Sequence, residues 1–521
     1  MKVAIKTDFM TPKRWRAARK TVQVAALLAF IALFVASRRG GWPAELVNAP
    51  MRLDPLGMLA HLLASRTLLA GSALALVILI LTLAAGRAWC GWLCPLGTLL
   101  DIFSLQRARR ALGAKAQAPE ALRNLKYGLL FTILFAALFT NLTLLIFDPL
   151  TIVFRTLSTA VWPAADRILT AIENVLYGIP FLQDPLSAFD GLVRPAIFPE
   201  QPAFYRDAAL FLSIFGGLVA LNLAAPRFWC RYLCPLGGLL GLISKVSVLR
   251  REVVESQCTG CDACARLCPT GTIQIGKHGA SDPAECTMCL ECLVACPRGG
   301  EAFRPRLQLA KWQPYDPSRR QVLASLGVAV IGAGVLASEA ASRRDDPHLV
   351  RPPGGRENNL AAKCIRCGEC MRACPTSGLQ PALFEAGLDG LWTPVLLPRL
   401  GYCDYSCNAC GQVCPVQAIP PLSLDDKRLK VIGAAYIDQN RCIAWADHRD
   451  CIVCEEMCPL PEKAIKLEEA QVLNADGQQM TVKLPHVNRE RCIGCGICEY
   501  KCPIGGEAAI RVRTMTADPL S

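Results

Sequence analysis

Histidine and charged residues are scarce in this sequence of 521 residues. It holds five histidines, and Asp, Glu, Lys and Arg together make up 19% of the chain. No stretch reads C-x-x-C-H, which argues against covalently attached c-type haem. Only His61 lies near an apolar run of membrane-spanning length, which argues equally against b-type haem held by two histidines inside a bilayer. We therefore expect no haem.

Glycine-rich nucleotide-binding motifs are missing as well. The sequence contains neither the G-x-G-x-x-G fingerprint of dinucleotide-binding folds nor a Walker phosphate loop, so nicotinamide, flavin-Rossmann and nucleotide chemistry have no support. The net charge of +13 would suit nucleic acid, but the basic residues lie beside apolar runs. We interpret them as signals of membrane topology and expect no nucleic-acid partner.

Hydrophobic residues, by contrast, make up 52% of the chain, which is unusual for a soluble protein of this length. Runs of spanning length lie at 21–37, 68–86, 126–147 and 207–225, each close to the roughly 20 residues that cross a bilayer core. A weaker run at 321–338 is rich in Ala, Gly and Val. The sequence thus predicts four membrane spans and a fifth.

Basic residues flank two of these runs and indicate the orientation of the chain. Before the first run stand Lys2, Lys6, Lys13, Arg14, Arg16, Arg19 and Lys20. After the second run stand Arg107, Arg109, Arg110, Lys115, Arg123 and Lys126. By the positive-inside rule both groups are cytoplasmic. We therefore expect 148–206 on the outer side, 230–320 in the cytoplasm and 345–521 outside.

The fifth run follows the segment Ser318-Arg319-Arg320-Gln321-Val322-Leu323. This segment resembles a twin-arginine export signal, which serves proteins that fold with a cofactor before export. The alternative is an ordinary basic flank of a membrane helix. Both interpretations send the C-terminal part of the chain to the outer side.

The membrane half contains a duplicated unit of two spans. The first copy includes Asp54-Pro55-Leu56-Gly57 and then Cys90-Gly91-Trp92-Leu93-Cys94-Pro95-Leu96-Gly97; the second includes Asp148-Pro149-Leu150 and then Cys230-Arg231-Tyr232-Leu233-Cys234-Pro235-Leu236-Gly237. Copies of two spans keep the same orientation, which implies a pseudo-two-fold axis along the membrane normal. Such an axis places both C-x-x-x-C-P segments at the same cytoplasmic depth.

Four cysteines meet at that depth, and they could hold an iron–sulfur cluster, act as redox thiols or serve as small apolar residues at helix corners. They are Cys90, Cys94, Cys230 and Cys234. Two matched copies favour a metal or redox role over packing alone. The Asp-Pro-Leu corners are ordinary turns or helix starts, with a proton-accepting carboxylate as the alternative. Asp54, His61 and Asp148 are accordingly the candidates for a quinol site.

Residues 258–296 carry twice the cysteine spacing C-x-x-C-x-x-C-x-x-x-C-P of a two-cluster bacterial ferredoxin. In such ferredoxins the fourth cysteine of each run ligates the other cluster. We expect one [4Fe–4S] cluster on Cys258, Cys261, Cys264 and Cys296, and the second on Cys268, Cys286, Cys289 and Cys292. Structural zinc is the alternative, but zinc sites usually pair two C-x-x-C knuckles and do not repeat this arrangement.

Four further motifs, each closed by proline, follow the fifth run. In chain order they are Cys364, Cys367, Cys370, Cys374; Cys403, Cys407, Cys410, Cys414; Cys442, Cys451, Cys454, Cys458; and Cys492, Cys495, Cys498, Cys502. Disulfides are the alternative in an oxidising compartment, but disulfide frameworks do not end repeatedly in x-x-x-C-P. We predict four more [4Fe–4S] clusters, and we favour exchange of fourth cysteines between motifs one and four and between motifs two and three.

Two known families resemble the two halves of the chain. The first 310 residues resemble the NapH-type membrane quinol dehydrogenases of periplasmic nitrate reduction, through the paired C-x-x-x-C-P-L-G segments, four spans and a ferredoxin tail. Residues 315–521 resemble the NapG-type exported ferredoxins and their methylamine-utilisation relatives, for example in Cys364-Ile365-Arg366-Cys367-Gly368-Glu369-Cys370 and Gly401-Tyr402-Cys403-Asp404-Tyr405-Ser406-Cys407. These proteins are normally separate partners, so the chain looks like a fusion. The resemblance implies quinol oxidation that feeds a periplasmic acceptor through six clusters at the matching cysteines, without specifying nitrate.

The expected fold is a membrane α-helical domain, with four spans in two parallel repeats plus a fifth span, and α+β ferredoxin-like [4Fe–4S] modules on both sides. The expected domains are a four-span membrane domain at 1–250, a cytoplasmic two-cluster ferredoxin at 251–312, a twin-arginine-like fifth span at 313–345 and a periplasmic four-cluster ferredoxin at 346–521. The protein would lie in a bacterial inner membrane as a quinol dehydrogenase or electron-transfer subunit. Its partners would be the quinone pool, a periplasmic cytochrome or reductase, and a cytoplasmic redox protein for the inner ferredoxin.

Two other functions compete with this one. The chain could supply electrons for maturation of a periplasmic enzyme, by reducing a thiol, metal or cofactor precursor, and the C-x-x-x-C pairs would then be the working thiols. It could also be an assembly subunit whose clusters are structural. Replacing Cys90 and Cys230 tests the role of the membrane cysteines, including a seventh cluster.

Overall fold

A computed structural model describes residues 11–38, 42–104, 120–192, 194–198, 203–276, 278–306, 309–343, 348–473 and 479–514. Part of the basic pattern that orients the chain lies outside these residues, namely Lys2, Lys6, Arg107, Arg109, Arg110 and Lys115. The described chain forms two compact units. Unit 1 comprises 1–34, 45–154 and 210–333, and unit 2 comprises 35–44, 155–209 and 334–521.

Unit 1 is built mainly from helices that pack around an apolar interior. Their bounds are Pro12–Ala36, Ala49–Arg52, Pro55–Ser65, Leu74–Ala85, Ala88–Trp92, Pro95–Ile102, Asn124–Leu138, Pro149–Thr156, Ala208–Ala220, Pro235–Ser244, Ala263–Leu267, Glu291–Ala295 and Arg319–Arg343. The last helix packs on Asn124–Leu138, because Gln321 Nε2 donates to the Asn124 carbonyl at 2.7 Å and Ser325 Oγ to the Gly128 carbonyl at 3.3 Å.

The number of membrane-spanning helices differs from the expectation of four or five. Among the described residues, two helices are long and apolar enough to cross a bilayer, Pro12–Ala36 and Glu120–Leu138. The second and fourth predicted spans are the shorter helices Gly71–Ala85 and Ala208–Leu223, in the range of ten to seventeen residues. The fifth run lies in helix Arg319–Arg343.

Four short helices of unit 1 begin at a proline corner. Helices Pro55–Ser65, Pro95–Ile102, Pro149–Thr156 and Pro235–Ser244 all begin at a proline preceded by Asp or Cys. Proline suits the first helical position but cannot continue a helix that precedes it. These four prolines lie outside the apolar runs, and each starts a further short helix. The two-copy repeat seen in the sequence consists of these short, proline-initiated helices.

Unit 1 also contains the first cysteine-rich region, residues 251–312, which we call the inner ferredoxin after its predicted location. Strand Leu249–Val253 pairs antiparallel with strand Glu301–Pro305, and these strands enclose the cysteine loops between them. The short helices Ala263–Leu267 and Glu291–Ala295 each place the third cysteine of a motif and end at the fourth. Each of these helices starts after a residue with left-handed backbone, Asp262 at φ 53° and Leu290 at φ 62°.

Unit 2 combines helices of the 155–209 segment with a second α+β ferredoxin region. Its helices are Trp162–Leu176, Gln183–Leu192, Arg194–Ile197, Glu357–Lys363, Glu369–Ala373, Ala409–Gln412, Leu424–Arg428, Ile443–Ala446, Val453–Glu456 and Ile497–Lys501. Its antiparallel strand pairs are Leu379–Pro381 with Pro394–Leu396, Ala434–Ile437 with Ile510–Arg513, and Ile465–Leu473 with Gln479–Val487. The ferredoxin-like α+β character of both cysteine-rich regions is confirmed.

Candidate functional site

The inner ferredoxin brings its cysteines together as two sets. A cavity is lined by Cys258, Cys261, Cys264 and Cys296, which we call inner set one. Burial raises the pKa of the Cys286 and Cys289 thiols, and Cys268 raises both further. Cys268 therefore lies beside these two cysteines. Together with Cys292 they form inner set two. The fourth cysteine of each motif thus joins the other set, as the spacing predicts.

In the second cysteine-rich region, residues 346–521, which we call the outer ferredoxin, the motifs exchange their fourth cysteines differently from the expectation. Three cavities are lined by Cys374, Cys403, Cys407 and Cys410; by Cys442, Cys451, Cys454 and Cys502; and by Cys458, Cys492, Cys495 and Cys498. Burial raises the pKa of Cys367 and Cys370 of motif one, and Cys414 raises both further, which places Cys414 beside them. The favoured exchange of motif one with four and two with three is therefore wrong. Motif one exchanges with two, and motif three with four.

Backbone conformation explains how these short motifs place their sulfurs. In motifs one and four a glycine follows the second cysteine, and Gly368 and Gly496 take φ values of 89° and 79°. This left-handed turn is open to glycine without strain and starts the one-turn helix that carries the third cysteine. The two halves of the outer ferredoxin meet where Cys403 N donates to the Cys495 carbonyl at 2.8 Å.

The cysteines of the two C-x-x-x-C-P segments also converge. Cys90, Cys94, Cys230 and Cys234 are all buried, with 5–7% of their surface exposed, and we call them the four-cysteine centre. Burial raises the pKa of Cys230 to about 11, and burial together with neighbouring cysteines raises the pKa of Cys94 and Cys234. Burial thus favours the neutral thiol at Cys94, Cys230 and Cys234 unless a metal deprotonates it.

The four-cysteine centre touches inner set two directly. Gly91, inside the first C-x-x-x-C-P segment, lies so near the Thr287 main chain that a Cβ would stand 2.0 Å from the Thr287 carbonyl oxygen. Trp92 Nε1 donates to the Met288 carbonyl at 2.9 Å. From the second segment, Arg231 Nε donates to the Pro269 carbonyl at 3.0 Å. Both membrane segments therefore dock on loops that carry ligands of the same cysteine set.

Each of these sets fits an iron–sulfur cluster by its donor chemistry. Four cysteines converge in every set, and thiolates are the soft ligands that such clusters take. The surroundings add hydrogen-bond donors: Gly300 N donates to Cys296 Sγ at 3.2 Å, Ala435 N to Cys492 Sγ at 3.4 Å and Gly237 N to Cys234 Sγ at 3.2 Å. Backbone donors to sulfur stabilise the anionic form of a thiolate-bound centre.

The three candidate quinol-site residues lie in unit 1, and two of them meet. Asp54 accepts hydrogen bonds from the backbone of its own helix start, as does Asp148. Both are fully buried, and their carboxyl groups lie within hydrogen-bonding reach of each other. Such a bond needs a proton on one partner. His61 is also buried and its Nδ1 lies 3.5 Å from Ser65 Oγ.

Sequence reasoning missed the charged residues around the four-cysteine centre. Arg87, Arg227 and Glu285 are almost completely buried there. A signal for two of them was present, because each C-x-x-x-C-P segment is preceded by the same pattern, Arg-x-Trp-Cys. Glu285 had no signal, since its partners come from distant parts of the chain.

Comparison with known families supports iron–sulfur binding along the chain. A profile described as a 4Fe-4S binding domain matches residues 67–113 and 208–253, which include the four-cysteine centre. A 4Fe-4S dicluster domain matches 253–300. Further 4Fe-4S binding domains match 361–379 and 484–510. No solved structure matches the chain.

Curated relatives resemble part of the chain. The methylamine utilization ferredoxin-type protein MauM of Methylorubrum extorquens is 34% identical over 211 residues, which is 38% of this chain and 90% of that protein. The ferredoxin-type protein NapG of Escherichia coli is 34% identical over 198 residues, 36% of this chain and 79% of that protein. MauM of Paracoccus denitrificans is 33% identical over 207 residues, 37% of this chain and 87% of that protein.

Proposed function

This chain belongs to the ferredoxin-type protein family of MauM and NapG, and on that premise we propose that it oxidises membrane quinol and passes the electrons to a periplasmic redox partner. Its 4Fe-4S binding domains make it an iron–sulfur electron-transfer protein. The quinol part of the proposal comes from the resemblance of the first 310 residues to NapH-type proteins. A fusion of the two kinds of subunit would carry electrons within one chain.

Contacts within unit 1 support the proposed orientation of the membrane domain. Arg19, from the basic N-terminal flank, lies with Nη2 2.9 Å from the Glu291 carboxylate of the inner ferredoxin. Arg123 Nη2, from the second basic group, donates to the Gly271 carbonyl at 2.7 Å. Chain segments that contact each other outside the bilayer share one side of it. We therefore assign both basic groups and the inner ferredoxin to the cytoplasm.

Contacts within unit 2 support the outer assignment in the same way. Tyr205 Oη donates to the Met371 carbonyl at 3.0 Å, and Arg155 Nη1 donates to the Arg366 carbonyl at 3.1 Å. The segment 155–209 and the C-terminal ferredoxin would then share the periplasmic side. Alkaline phosphatase fused after residue 514 should be active, and green fluorescent protein fused after residue 312 should fluoresce. Activity of the phosphatase after residue 312 would contradict this topology.

The membrane domain is proposed to cross the bilayer four times and the helix that starts at Arg319 a fifth time. Helices shorter than a bilayer core occur where discontinuous helices surround a functional site at membrane depth. A short span is also accommodated by local thinning of the bilayer. The proposed domains remain 1–250, 251–312, 313–345 and 346–521.

The observation that carries the proposal is the docking of both C-x-x-x-C-P segments on inner set two. Quinol yields two electrons and two protons, while a [4Fe–4S] cluster accepts electrons singly. Gly91 packs directly on the Thr287 main chain, so no side chain separates the two loops at this point. The arrangement suits electron exchange between the membrane centre and the inner ferredoxin. We propose six [4Fe–4S] clusters at the ferredoxin cysteines and a seventh at the four-cysteine centre.

The buried carboxyl pair offers a place for a quinol proton. Asp54 and Asp148 come from the two repeats, and their carboxyl groups lie within hydrogen-bonding reach, so the pair can take up or release one proton without leaving two bare charges. We propose these two residues, with His61 on the same helix as Asp54, as the residues nearest the quinol.

Maturation of a partner protein is the second candidate function. It would use the membrane cysteines as exchanging thiols, and thiol exchange requires an accessible thiolate. The four-cysteine centre is 5–7% exposed, and burial raises the pKa of Cys230 to about 11. Direct exchange with another protein is therefore disfavoured, although electron supply from the outer ferredoxin to a maturing enzyme is compatible with the same chain.

The test is anaerobic addition of menaquinol and ubiquinol analogues to the purified full chain, with cluster reduction followed by absorbance and electron paramagnetic resonance. Rapid reduction that a quinol-site inhibitor abolishes supports the proposal. The matched control combines Cys90→Ala with Cys230→Ala, which should slow quinol-dependent reduction while dithionite still reduces the ferredoxin clusters. Failure of every quinol to reduce a dithionite-reducible protein would overturn quinol oxidation and favour a cytoplasmic donor.

A further inference from the structure

Two arginines occupy equivalent positions in the two membrane repeats. Each stands three residues before the first cysteine, in Arg87-Ala88-Trp89-Cys90 and Arg227-Phe228-Trp229-Cys230. Arg87 is 1% exposed and Arg227 is 2% exposed. A buried guanidinium is costly unless it is paired and hydrogen-bonded, so two at matched positions need a physical reason.

Each arginine reaches the cysteine loop of the other repeat. Arg87 Nη2 donates to the Cys230 carbonyl, and Arg227 Nη1 donates to the Cys90 carbonyl, both at 3.4 Å. Gly237 makes room for this crossing, because a Cβ there would stand 2.7 Å from Arg87 Nη2. The crossed contacts join the two loops and place two permanent positive charges beside the four cysteines.

The two charges are balanced to different extents. Asp101 accepts from Arg227 Nε at 2.7 Å and from Nη2 at 2.6 Å, which is a close two-point pair, and it also lies 3.4 Å from Arg19 Nη1. Glu285 is divided between two cations, since it lies 3.4 Å from Arg87 Nη1 and also pairs with Lys126. Arg87 is therefore paired less closely with its carboxylate, at 3.4 Å, than Arg227 is, at 2.6–2.7 Å.

We propose that Arg87 and Arg227 are positioning residues of the four-cysteine centre, which hold its two loops together and make its reduced, more anionic state more favourable. The inference rests on the proposed function in one respect, namely that the centre carries a [4Fe–4S] cluster. Four thiolates make such a cluster an anion whose charge grows on reduction, and net charge and hydrogen bonds set its potential. A nearby fixed cation raises the reduction potential and lets the centre accept electrons from a weak donor.

A purely structural role would have a different signature. Arg87 also donates to the Ala284 carbonyl at 3.0 Å, so its loss could loosen the contact with the inner ferredoxin without affecting any potential. Arg87→Lys keeps the charge but loses the two-pronged hydrogen bonding, whereas Arg87→Gln keeps a donor and loses the charge. Comparing these two variants separates charge from hydrogen bonding.

The test is a redox titration of the purified full chain, monitored by electron paramagnetic resonance, with iron and sulfide measured per chain. The signal that disappears in the Cys90→Ala, Cys230→Ala variant identifies the four-cysteine centre. We expect Arg87→Gln to shift this signal to lower potential, by a tenfold or greater change in the ratio of reduced to oxidised centre, or about 59 mV for one electron. Arg87→Lys should keep most of the wild-type potential, and the half-exposed Arg304→Gln should leave the signal in place.

Arg227 provides a second variant in case Arg87→Gln fails to fold. Arg227→Gln alone would leave Asp101 without its two-point partner, so it is combined with Asp101→Asn. Because this double change removes one charge of each sign, we expect a smaller shift than for Arg87→Gln and a loss of cluster iron from loosened loops. An unchanged potential in Arg87→Gln, with only a lower melting temperature, would overturn the inference.

The outcomes also separate the inference from the proposed function. Quinol reduction of the wild type with no shift in Arg87→Gln would remove the inference and leave quinol oxidation standing. A clear shift in a protein that no quinol reduces would do the reverse. A wild type with no signal dependent on Cys90 and Cys230 would refute the seventh cluster and the inference together.

Discussion

Gly91 packs against the carbonyl oxygen of Thr287 at a distance that no side chain could occupy, since a Cβ would stand 2.0 Å from that oxygen. Gly91 belongs to the first membrane cysteine loop and Thr287 to the loop of inner set two. The two main chains are thus in direct contact, and the fold depends on glycine here for closeness of approach and not for an unusual φ. An electron-transfer protein benefits from such contact because no flexible side chain separates its centres.

Gly91→Ala should therefore force the two loops apart. Overpacking of a tight contact costs about 1–3 kcal/mol, and most of that cost should appear as a weaker contact between the loops. We expect a lower melting temperature and faster hydrogen exchange in residues 286–292. Gly216→Ala is the control, because nothing lies within 4 Å of a Cβ at that position. Equal melting temperatures for both variants would show that the contact contributes nothing to stability.

The exchange of cysteines between outer motifs three and four is directly testable. The cavity that holds Cys442, Cys451 and Cys454 also contains Cys502. In a chain whose three motif-three cysteines are replaced by alanine, the added change Cys502→Ala should cause no further loss of iron. Cys374→Ala in the same background should remove about four more irons, because it serves the cluster of motif two. Further iron loss from Cys502→Ala would support exchange with motif one.

The sequence predicted the exchange of cysteines correctly in the inner ferredoxin and wrongly in the outer one, and the difference has a physical reason. The inner set-one ligands Cys258, Cys261, Cys264 and Cys296 follow from local spacing and one known exchange within a single ferredoxin. In the outer ferredoxin four motifs allow several exchanges, and long-range packing decides among them. The contact of Cys403 with Cys495 shows how motif four reaches motif two without sharing ligands with it.

Membrane helices and buried ions were harder to predict than ligands. Hydropathy records composition over a run, but the second run forms only helix Leu74–Ala85, which ends at Gly86 with φ 60°. Glu285 lies next to a ligand cysteine in the sequence, where a carboxylate is expected to be exposed to solvent. Its burial follows only from Arg87 and Lys126, which are more than 150 residues away.

Arg155 should stabilise the first outer motif. Its guanidinium stands 3.9 Å from the ring centre of Trp392 and donates to the Arg366 carbonyl at 3.1 Å. Arg155→Ala removes a buried cation–π contact and a charged hydrogen bond, each of about 1–3 kcal/mol. We expect faster hydrogen exchange in residues 364–374 and loss of the iron bound there. The exposed Arg356→Ala is the control, and equal exchange in both variants would contradict this role.

Asp148→Asn tests the buried carboxyl pair. Oδ2 of Asp148 accepts both backbone bonds of its helix start, at 2.9 Å, so asparagine can keep the cap while its amide imitates a protonated carboxyl toward Asp54. We expect stability within about 0.5 kcal/mol of wild type, whereas Asp148→Ala should cost about 1 kcal/mol through loss of the cap. The amide cannot accept or release a proton.

Quinol-dependent reduction of the clusters should therefore fall at least tenfold in Asp148→Asn, while reduction by dithionite stays as fast as in wild type. The same comparison for Asp54→Asn asks whether either carboxyl alone suffices. Because Asp54 uses one oxygen for each of its two backbone bonds, its asparagine variant loses part of the cap and should be the less stable of the two. Wild-type quinol kinetics in the folded Asp148→Asn protein would mean that the pair only starts its helices, and that the quinol proton leaves by another route.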